Sequence, residues 1–530
     1  MNTESSKTKK ELKAGIFLSY FLIAVNVVSG FLLVPFIIKN IGQSNYGLYT
    51  AASSLITMFI VDLGLGTAVT KFVSKYRVTS SQEEINKVIS VVFACFFVLT
   101  IILVAIFSIT FIFLENIYSS FTLEEIKSFK IVYIIVASYS VLTFPFSISN
   151  GVLIAYDKIF LSKTADLISK FVFIVLTILV LLFNGGLYLL TACYAVHGIV
   201  GVFLKLLFVK IKTPAHFFTR MKWYEFKKVF KEVIVFSLWA AINSFGRVIL
   251  VSFAPTILGF ASPSSTGTKE IAIFSIAVQI ESYVSLFATA FGSIFYPSIS
   301  RILFVDSNDY KQSLEQFQKF HIRIARIQIA ILFLVILGLI VCGKEFLQLW
   351  VGTGYEKSYY CILAICVPAL FFYPLQTAEN AMAAIEKIKY CAISTIISVI
   401  TGIGASIGLA FAFGSIGVSI GICIGFILRT ILFNLFFKKY LKLQPFVFYF
   451  KSYFSFIVPT VLTIASALIL NHLFSNPSWI VFALKVMIIT AIYLVLMCIF
   501  GLDRDEKNRI DGIIVGFYNK ISNFAKRIER

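Results

Sequence analysis

Residues 40–76 read NIGQSNYGLYTAASSLITMFIVDLGLGTAVTKFVSKY, a short polar turn followed by one long apolar segment. The turn at residues 42–45 follows an apolar run from 16 to 38, and the segment ends in a basic cluster at 71–77. This pattern predicts a transmembrane helical hairpin. Its second arm carries Asp62, and an acid inside a membrane helix is costly unless it faces a partner or water.

The composition of the whole chain is that of a membrane protein. Hydrophobic residues make up 59% and charged residues 14% of its 530 residues, whereas about a quarter of the residues of a soluble protein are charged. The formal net charge of +20 would indicate nucleic-acid binding in a soluble protein. Here Lys and Arg fall mainly in loops between apolar runs, where they set topology and meet anionic lipid. We therefore predict anionic membrane lipids, and no nucleic acid, as partners.

About fourteen apolar runs are long enough, at roughly 20 residues each, to cross the hydrocarbon core of a bilayer. Lys and Arg concentrate in every second loop, which places both chain termini in the cytoplasm. The predicted fold is an all-α polytopic membrane protein. Its predicted spans are 14–38, 46–70, 88–114, 130–154, 161–183, 187–209, 229–256, 271–296, 322–342, 359–383, 389–412, 415–437, 452–473 and 479–501.

A large basic loop divides the predicted helices into a first six and a remaining eight, as in transporters built from paired halves. Lysines at 222–231 lie beside bulky residues, which suits an amphipathic helix on anionic headgroups, although an ordinary positive-inside loop explains them equally well. The predicted division is an N-terminal six-helix lobe at 1–209, a cytoplasmic basic linker at 210–228, a C-terminal six-helix lobe at 229–440, two additional helices at 441–501 and an amphipathic cytoplasmic tail at 502–530.

The cysteines and histidines predict no metal site. The eight cysteines are scattered through apolar runs without a CxxC pair, and the four histidines lie far apart in the sequence. Cysteines in apolar runs usually act as small buried core residues. A metal site would require ligands at closer spacing in the sequence. A GxxxxGK[ST] loop is also missing from the sequence, so direct use of ATP is not expected. We expect no cofactor, and leave H⁺ or Na⁺ coupling open.

The opening stretch resembles a known family. Its IG-x(3)-YG-x-Y turn at 41–49 and the DLGLG-x-A-x(2)-K segment at 62–71 are similar to those of the polysaccharide biosynthesis membrane proteins. These are repeat-unit flippases of the multidrug/oligosaccharidyl-lipid/polysaccharide exporter superfamily, which export O-antigen and exopolysaccharide units. The length and helix count fit this family along the whole chain.

The resemblance implies two six-helix lobes in a V around a central cavity, with two further C-terminal helices. It implies transport, not catalysis: an undecaprenyl-pyrophosphate-linked oligosaccharide would move from the cytoplasmic to the outer leaflet of a bacterial inner membrane. A polysaccharide polymerase and a chain-length regulator are the partners that such a pathway implies.

A pyrophosphate is anionic, and cations in a dehydrated cavity hold it through charge-assisted hydrogen bonds. Trp239, Asn243 and Arg247 recur at a spacing of four in predicted helix seven and therefore share one face. Arg can grip two phosphate oxygens at once, and an indole can stack on a sugar. The alternative is a structural Arg247 paired with Glu281 of the neighbouring helix.

Two further helices carry cations at membrane depth. Lys163, Asp166 and Lys170 share one face of predicted helix five, and Asp166 and Lys170 can pair at i, i+4. Lys163 can snorkel to the membrane surface, whereas Lys170 lies roughly 10 Å deeper by helical rise. Arg429 precedes the basic end of helix twelve, which begins at Lys438, by about nine residues, or about two and a half turns. Substrate binding and a structural role are both open for these cations.

Acids in the predicted helices could bind a proton or Na⁺ and couple transport to a gradient. Those near the cytoplasmic ends could instead pair with neighbouring lysines. The candidates are Asp62, Asp166, Glu281 and Glu379.

Two rival functions are open. A drug or cation antiporter on the same fold is favoured if acids dominate the cavity, but such exporters typically use an acid in the first helix, where this chain has Asn26. A membrane glycan polymerase or ligase would require a long outer loop with catalytic residues. The longest predicted outer loops, 115–130 and 261–270, are short.

Overall fold

The computed structural model describes residues 2–59, 64–79, 81–263, 265–304, 310–474, 478–503 and 506–507, and no strand occurs among them. The helices in the first part are α1 (Asn2–Ile41), α2 (Gln43–Phe59), α3 (Leu65–Thr79), α4 (Gln82–Ile112), α5 (Leu114–Ile117), α6 (Leu123–Thr143), α7 (Ile148–Ala155), α8 (Ile159–Leu182) and α9 (Gly186–Lys212). They are followed by α10 (Trp223–Ser252), α11 (Ala254–Ala261), α12 (Gly267–Phe304), α13 (Tyr310–Trp350), α14 (Glu356–Cys366), α15 (Ala369–Phe372), α16 (Gln376–Ala384), α17 (Ile388–Tyr440), α18 (Pro445–Leu473) and α19 (Trp479–Leu496).

The predicted all-α membrane fold is confirmed. Within the described ranges, 10 helical stretches are long and apolar enough to span a membrane, and a shorter apolar stretch covers Val248–Ala261. One of the long stretches, α17, contains Gly414 with φ 55° and ψ −131°, so it is two helices joined at a bend. The predicted span 130–154 is interrupted at Pro145, so that α6 ends at Thr143 and α7 begins at Ile148. Proline breaks the helix because it lacks the backbone N–H that would donate a hydrogen bond. The described helices are consistent with fourteen crossings.

The hairpin quoted first forms in part as predicted. Gly42 has φ +83°, which an L side chain rarely adopts, and this lets the chain turn from α1 into α2. The second arm was predicted as one helix over 46–70, and this is wrong. α2 ends at Phe59, and Gly64 takes a left-handed conformation, φ +72°, before α3 begins. Asp62 lies outside the described residues.

The glycine of the YG pair is required by close packing. A Cβ atom at Gly47 would overlap the backbone carbonyl of Thr268 at the start of α12. Small residues allow membrane helices to approach this closely. The motif therefore fixes α2 against α12.

Replacement of Gly47 is expected to destabilise the protein. Because the obstacle is backbone, Gly47→Ala should lower the free energy of unfolding by about 1–3 kcal/mol, the usual cost of overpacking. Thermal unfolding in detergent measures this. Gly408→Ala is the matched control, since a Cβ there meets no atom within 4 Å. Equal melting temperatures for the two variants would contradict the packing argument.

The two halves of α17 pack through small residues. Ser398 Oγ donates to the carbonyl of Gly425 at 2.8 Å, and Ser406 Oγ donates to that of Val418 at 3.1 Å. A Cβ at Gly421 would overlap the backbone of Ser406. This hairpin therefore depends on glycine and serine at its interface, as is common between membrane helices.

The chain divides into two compact units. The first comprises residues 1–286, 353–368 and 385–433, and the second comprises 287–352, 369–384 and 434–530. In the first unit, α8 packs on α1 and α9, and α10 packs on α2, α3 and α4. In the second unit, α13 packs on α18 and α19. The lobe boundaries drawn from the sequence stay a prediction.

Several loops of the first unit meet at one end of its helices, and we call them the loop cluster: residues 118–121, 259–263, 265–270, 354–357 and the start of α2. Ser120 donates to the carbonyl of Gly259 from both its N–H, at 3.0 Å, and its Oγ, at 2.7 Å. Ser265 N–H donates back to the carbonyl of Ser120 at 2.8 Å. Thr268 Oγ1 donates to Glu125 Oε1 at 2.7 Å. These bonds join segments on either side of the predicted linker.

A buried carboxylate anchors the same loop cluster. Glu270 accepts from Lys357 Nζ at 2.6 Å and from the N–H of Ser415 at 2.9 Å, at the bend of α17. Burial by itself raises the pKa of Glu270, but the hydrogen bonds from Lys357 and Ser415 outweigh it and leave the pKa below its usual value. Glu270 therefore stays ionised and ties α12 to α17 at neutral pH.

The predicted linker region contains a non-helical segment followed by the start of a helix. Residues 213–222 are non-helical, and the basic residues after them form the start of α10 at Trp223, earlier than the predicted residue 229. Glu225 explains the early start, since its carboxylate accepts from the N–H of Lys222 at 3.0 Å. An acid in the first turn also complements the helix dipole.

Arg326 joins three segments of the second unit through hydrogen bonds. Arg326 on α13 is 6% exposed and grips Glu506 through Nε and Nη2, at 2.7 and 2.8 Å. Its Nη1 donates to the carbonyl of Lys451 and to Ser455 Oγ of α18, and Nη2 donates to the carbonyl of Gly501 beyond α19. We call these contacts the Arg326 clamp.

A second ion pair lies toward the other end of the same helices. Lys485 on α19 is 4% exposed at its side chain and lies 2.8 Å from Glu345 on α13. Asn471 of α18 donates to the carbonyl of Val341 one turn away. Polar contacts of this kind hold apolar helices in one register.

Candidate functional site

The largest group of predicted site residues that the structure brings together lies on α8 and α9. Asp166 Oδ1 is 2.7 Å from Lys205 Nζ, and Asp166 Oδ2 is 3.3 Å from Lys163 Nζ. Lys170 lies one turn beyond Asp166 with its Nζ 5.3 Å from the centre of the Phe173 ring. With His197, described next, we call Lys163, Asp166, Lys170 and Lys205 the cationic cluster.

His197 extends the cationic cluster from α9. Its ring centre is 5.6 Å from that of Phe173, and its Nδ1 is buried without a hydrogen bond to any described residue. Gly201 lies one turn further along α9, where a Cβ would press on Ser169 Oγ at 3.2 Å. The absence of a side chain at Gly201 lets α9 approach α8, and this brings Lys205 to Asp166.

The predicted pair of Asp166 with Lys170 does not form. Asp166 is bound by Lys163 and by Lys205, a residue that the sequence pattern did not single out. The reason is geometric: two ammonium groups from either side already occupy the two carboxylate oxygens, while the Lys170 ammonium lies against an aromatic face, a favourable place for a cation.

The cationic cluster is turned away from the lipid-facing side of α8. Ile168, Phe171 and Val175 are the exposed stripe of this helix, at 41%, 47% and 53%. Because successive residues turn by about 100°, Asp166 and Lys170 lie roughly opposite this stripe. Three ammonium groups and one carboxylate leave the cluster with a formal charge of +2 when His197 is neutral. A positive site shielded from lipid can bind an anion such as phosphate.

Aromatic rings continue from the cationic cluster to the opening hairpin. Tyr194, one turn from His197 on α9, contacts Tyr49 of α2 and Tyr139 of α6 edge to face, with ring centres 6.0 and 5.6 Å apart. All three tyrosines are half-buried. Rings of this kind give a sugar faces on which to stack. Tyr49 is the last residue of the IG-x(3)-YG-x-Y motif, which therefore reaches the site.

The remaining predicted residues are distributed over other helices. Trp239, Asn243 and Arg247 lie on the continuous helix α10, and their side chains are outside the described part of the chain. Arg429 is buried on the second half of α17, with its guanidinium 4.7 Å from the centre of the Phe433 ring. Glu281 is buried on α12 and Glu379 is half-buried on α16. The described residues contain no group of three or more His, Cys, Asp or Glu that could hold a metal.

The residues that sequence reasoning missed are His197 and Lys205. Their spacing could have indicated a shared position, because His197, Gly201 and Lys205 recur every four residues and so lie on one face of α9. The sequence alone did not indicate which face of α8 they would meet.

The chain matches the family described as "Polysaccharide biosynthesis protein" over residues 12–303. This is more than half of its length, and the chain belongs to that family. No curated protein matches it.

Solved structures with the same fold are transporters of the multidrug/oligosaccharidyl-lipid/polysaccharide (MOP) superfamily. A structure described as "Lipid II flippase MurJ, inward closed conformation" superposes with a TM-score of 0.68 at 18% identity, over 92% of this chain and 98% of that one. An inward-facing multidrug resistance MATE family transporter gives 0.56 at 15% identity, over 80% and 94%. A MOP transporter from Pyrococcus furiosus, described as having a binding pocket of reverse polarity, gives 0.52 at 12%, over 82% and 94%.

These comparisons establish the class. The protein is a multi-pass membrane protein of the polysaccharide biosynthesis family with the MurJ/MATE fold of the MOP superfamily. The predicted family and fold class are thereby confirmed. The solved structures that share this fold are described as a flippase and as a multidrug resistance transporter.

Proposed function

We propose that the protein is a flippase that moves an undecaprenyl-pyrophosphate-linked oligosaccharide from the cytoplasmic to the outer leaflet, for O-antigen, capsule or exopolysaccharide synthesis. The observation that carries the proposal is the cationic cluster, a shielded positive site in a chain of the polysaccharide biosynthesis family. Its charge suits the pyrophosphate. A structural relative is described as a lipid II flippase, and this supports a lipid-linked substrate.

Alternating access would move the head group while the lipid tail stays in the bilayer. With both termini in the cytoplasm, α1 runs outward and the loop cluster lies on the outer side of the membrane. Its hydrogen bonds then close the outer end of the first unit, and outward opening requires that they break. We call the loop cluster in this role the outer gate.

The location and partners follow from the same proposal. The protein would lie in a bacterial inner membrane, with a polymerase and a chain-length regulator using the delivered repeat units. Arg247, Asn243, Trp239 and Arg429 are proposed to assist the cationic cluster in binding. The acids Asp62, Asp166, Glu281 and Glu379 are the proposed sites of H⁺ or Na⁺ coupling.

Complementation tests the proposal. The protein is expressed in a cell that lacks its repeat-unit flippase, with the matching polysaccharide pathway intact. We expect surface polysaccharide to return and cytoplasmic repeat units to stop accumulating. If the protein is present in the membrane, restores nothing and lowers the accumulation of a cationic dye, the flippase proposal is wrong.

Lys170 is expected to contribute directly to transport. Hydrogen bonds to charged groups contribute about 1.5–3 kcal/mol, so Lys170→Ala should slow transport by about tenfold or more. Lys170→Arg keeps the charge and should retain most of the rate. Initial rates of repeat-unit translocation measure this.

The matched control for Lys170 is Lys210→Ala, which removes the same charge from the exposed end of α9. Its rate should equal that of the parent. Equal translocation rates for Lys170→Ala and Lys210→Ala would show that Lys170 does not take part in substrate binding.

The rival function on the same fold is a drug or cation antiporter, since a MATE transporter also superposes on this chain. A net positive cluster disfavours a cationic substrate, because like charges repel. For the Pyrococcus furiosus transporter, a binding pocket of reverse polarity is likewise the reason given for suggesting a different function.

A further inference from the structure

The first two turns of α10 have one exposed side. At about 100° per residue, Trp223, Tyr224, Lys227 and Lys228 fall on one arc of the helix, and all four are exposed. Glu225 falls on the other side and meets Lys87 of α4, with 3.0 Å between Oε1 and Nζ. The helix therefore turns its first acid inward and its cations outward.

Large aromatic side chains are exposed on this surface. Phe218, Trp223 and Tyr224 are 83%, 76% and 76% exposed. Leaving such apolar surface in water is unfavourable. Aromatic rings with this exposure are typical of the boundary between lipid headgroups and hydrocarbon.

The charge of the same surface is positive. Lys222, Lys227 and Lys228 are exposed beside the rings. The hydrogen bond from Lys87 and that from the Lys222 N–H lower the pKa of Glu225, so this acid remains ionised and paired. The next acid, Glu232, comes a full turn after Lys228. We call Phe218, Lys222, Trp223, Tyr224, Lys227 and Lys228 the interfacial patch.

The interfacial patch is mounted on α4 by hydrogen bonds. Asn86 Oδ1 accepts from the N–H of His216 at 3.1 Å, and Ser90 Oγ accepts from the N–H of Thr219 at 2.9 Å. Gln82 Nε2 donates to the carbonyl of Pro214 at 3.1 Å. The segment before α10 is thus built into the first unit, and the rings are held in place before any ligand arrives.

We propose that the interfacial patch binds acidic glycerophospholipids: the lysines bind the phosphate headgroup while the rings enter the boundary with the acyl chains. Lys side chains suit phosphate as point charges, and each lysine near an anionic membrane surface strengthens association by about fivefold. α10 continues unbroken to Ser252. Lipid bound at its start therefore positions the whole helix, including the residues at 239–247.

Fluorescence quenching by brominated lipid tests this proposal independently of transport. A full-length variant that keeps Trp223 as its single tryptophan, with Trp239, Trp350 and Trp479 changed to Phe, is reconstituted into phosphatidylethanolamine vesicles. A minor fraction of either brominated phosphatidylglycerol or brominated phosphatidylcholine is included. We expect phosphatidylglycerol to quench Trp223 several-fold more strongly, and high salt to remove the difference, because salt screens charge.

The charge dependence is tested by two matched triple variants. Changing Lys222, Lys227 and Lys228 to Gln should abolish the preference for phosphatidylglycerol. The control variant changes Lys438, Lys439 and Lys442 to Gln, three exposed lysines at the end of α17. It removes the same charge elsewhere and should keep the preference for phosphatidylglycerol.

A second measurement uses the unaltered protein, in case the single-tryptophan variant does not fold. Short-chain phosphatidylglycerol should raise the melting temperature of the detergent-solubilised protein more than short-chain phosphatidylcholine does, and the first triple variant should lose this difference. Equal quenching by both lipids would overturn the proposal. No quenching by either would place the patch in water, available to a protein partner, and would equally overturn it.

Discussion

Oxidation of a Ser120→Cys/Gly267→Cys double variant is expected to reduce translocation to the level of vesicles without protein, and a reductant should restore it. A Cβ at Gly267 would lie 3.0 Å from the Cβ of Ser120, near the roughly 3.5–4.5 Å that a disulfide spans. The bond would tie the turn after α5 to the start of α12. If the outer gate must part for alternating access, no substrate can leave.

Each single-cysteine variant under the same oxidant is the control for this experiment. The chain already has eight cysteines, of which Cys498 is exposed, so the single variants report any unrelated oxidation and should transport normally. Full transport by the cross-linked double variant, with the disulfide verified by gel mobility after protease cleavage, would show that the outer gate does not open during transport.

Arg326→Ala is expected to be the most destabilising single substitution in the second unit. It leaves the Glu506 carboxylate, 19% exposed at its side chain, without the two guanidinium bonds, and it frees two carbonyls from their donors. Removing one partner of a buried ion pair costs about 3–5 kcal/mol. Thermal unfolding in detergent should show a correspondingly lower melting temperature.

Arg323→Ala is the control for Arg326→Ala, since Arg323 lies one turn earlier on the same helix and is exposed. It should melt like the parent. An equal fall in melting temperature for both variants would mean that loss of any positive charge on α13 destabilises the protein. The contacts of the Arg326 clamp would then not explain the effect.

The Arg326 clamp also has a defined pH dependence. Burial raises the pKa of Glu506, but its hydrogen bonds with Arg326 and the N–H of Asp503 outweigh this and lower it overall. The unfolded chain then binds the proton more tightly than the folded one. The contribution is complete above the unfolded pKa of about 4.3 and is lost only as pH falls through the lower folded value.

The fold was largely predictable because bilayer thickness imposes a length on every span. An apolar run of about 20 residues between basic loops is a strong signal, and Gly414, where α17 bends, falls at the predicted boundary between 412 and 415. The break between α2 and α3 was not predicted. Gly64 produces it through a left-handed conformation, and the apolar residues on both sides continue the helical pattern without interruption.

The candidate site was predictable only within single helices. The shared face of Lys163, Asp166 and Lys170 follows from helical spacing. The partners Lys205 and His197 do not, because they depend on how closely α9 approaches α8 at Gly201. The outer gate could not be predicted for another reason. Its hydrogen-bond acceptors include the backbone carbonyls of Gly259 and Ser120. Every residue has such a carbonyl, so the sequence does not indicate which ones accept these bonds.

The most direct test of the central claim is translocation by the purified protein. A fluorescent undecaprenyl-pyrophosphate-linked oligosaccharide is incorporated into sealed vesicles, and a membrane-impermeant quencher is added outside. We predict that the protein exposes the inner-leaflet label to the quencher, while vesicles without protein keep it protected. If the label stays protected and the same vesicles exchange a cationic drug for protons or Na⁺, the protein is an antiporter and not a flippase.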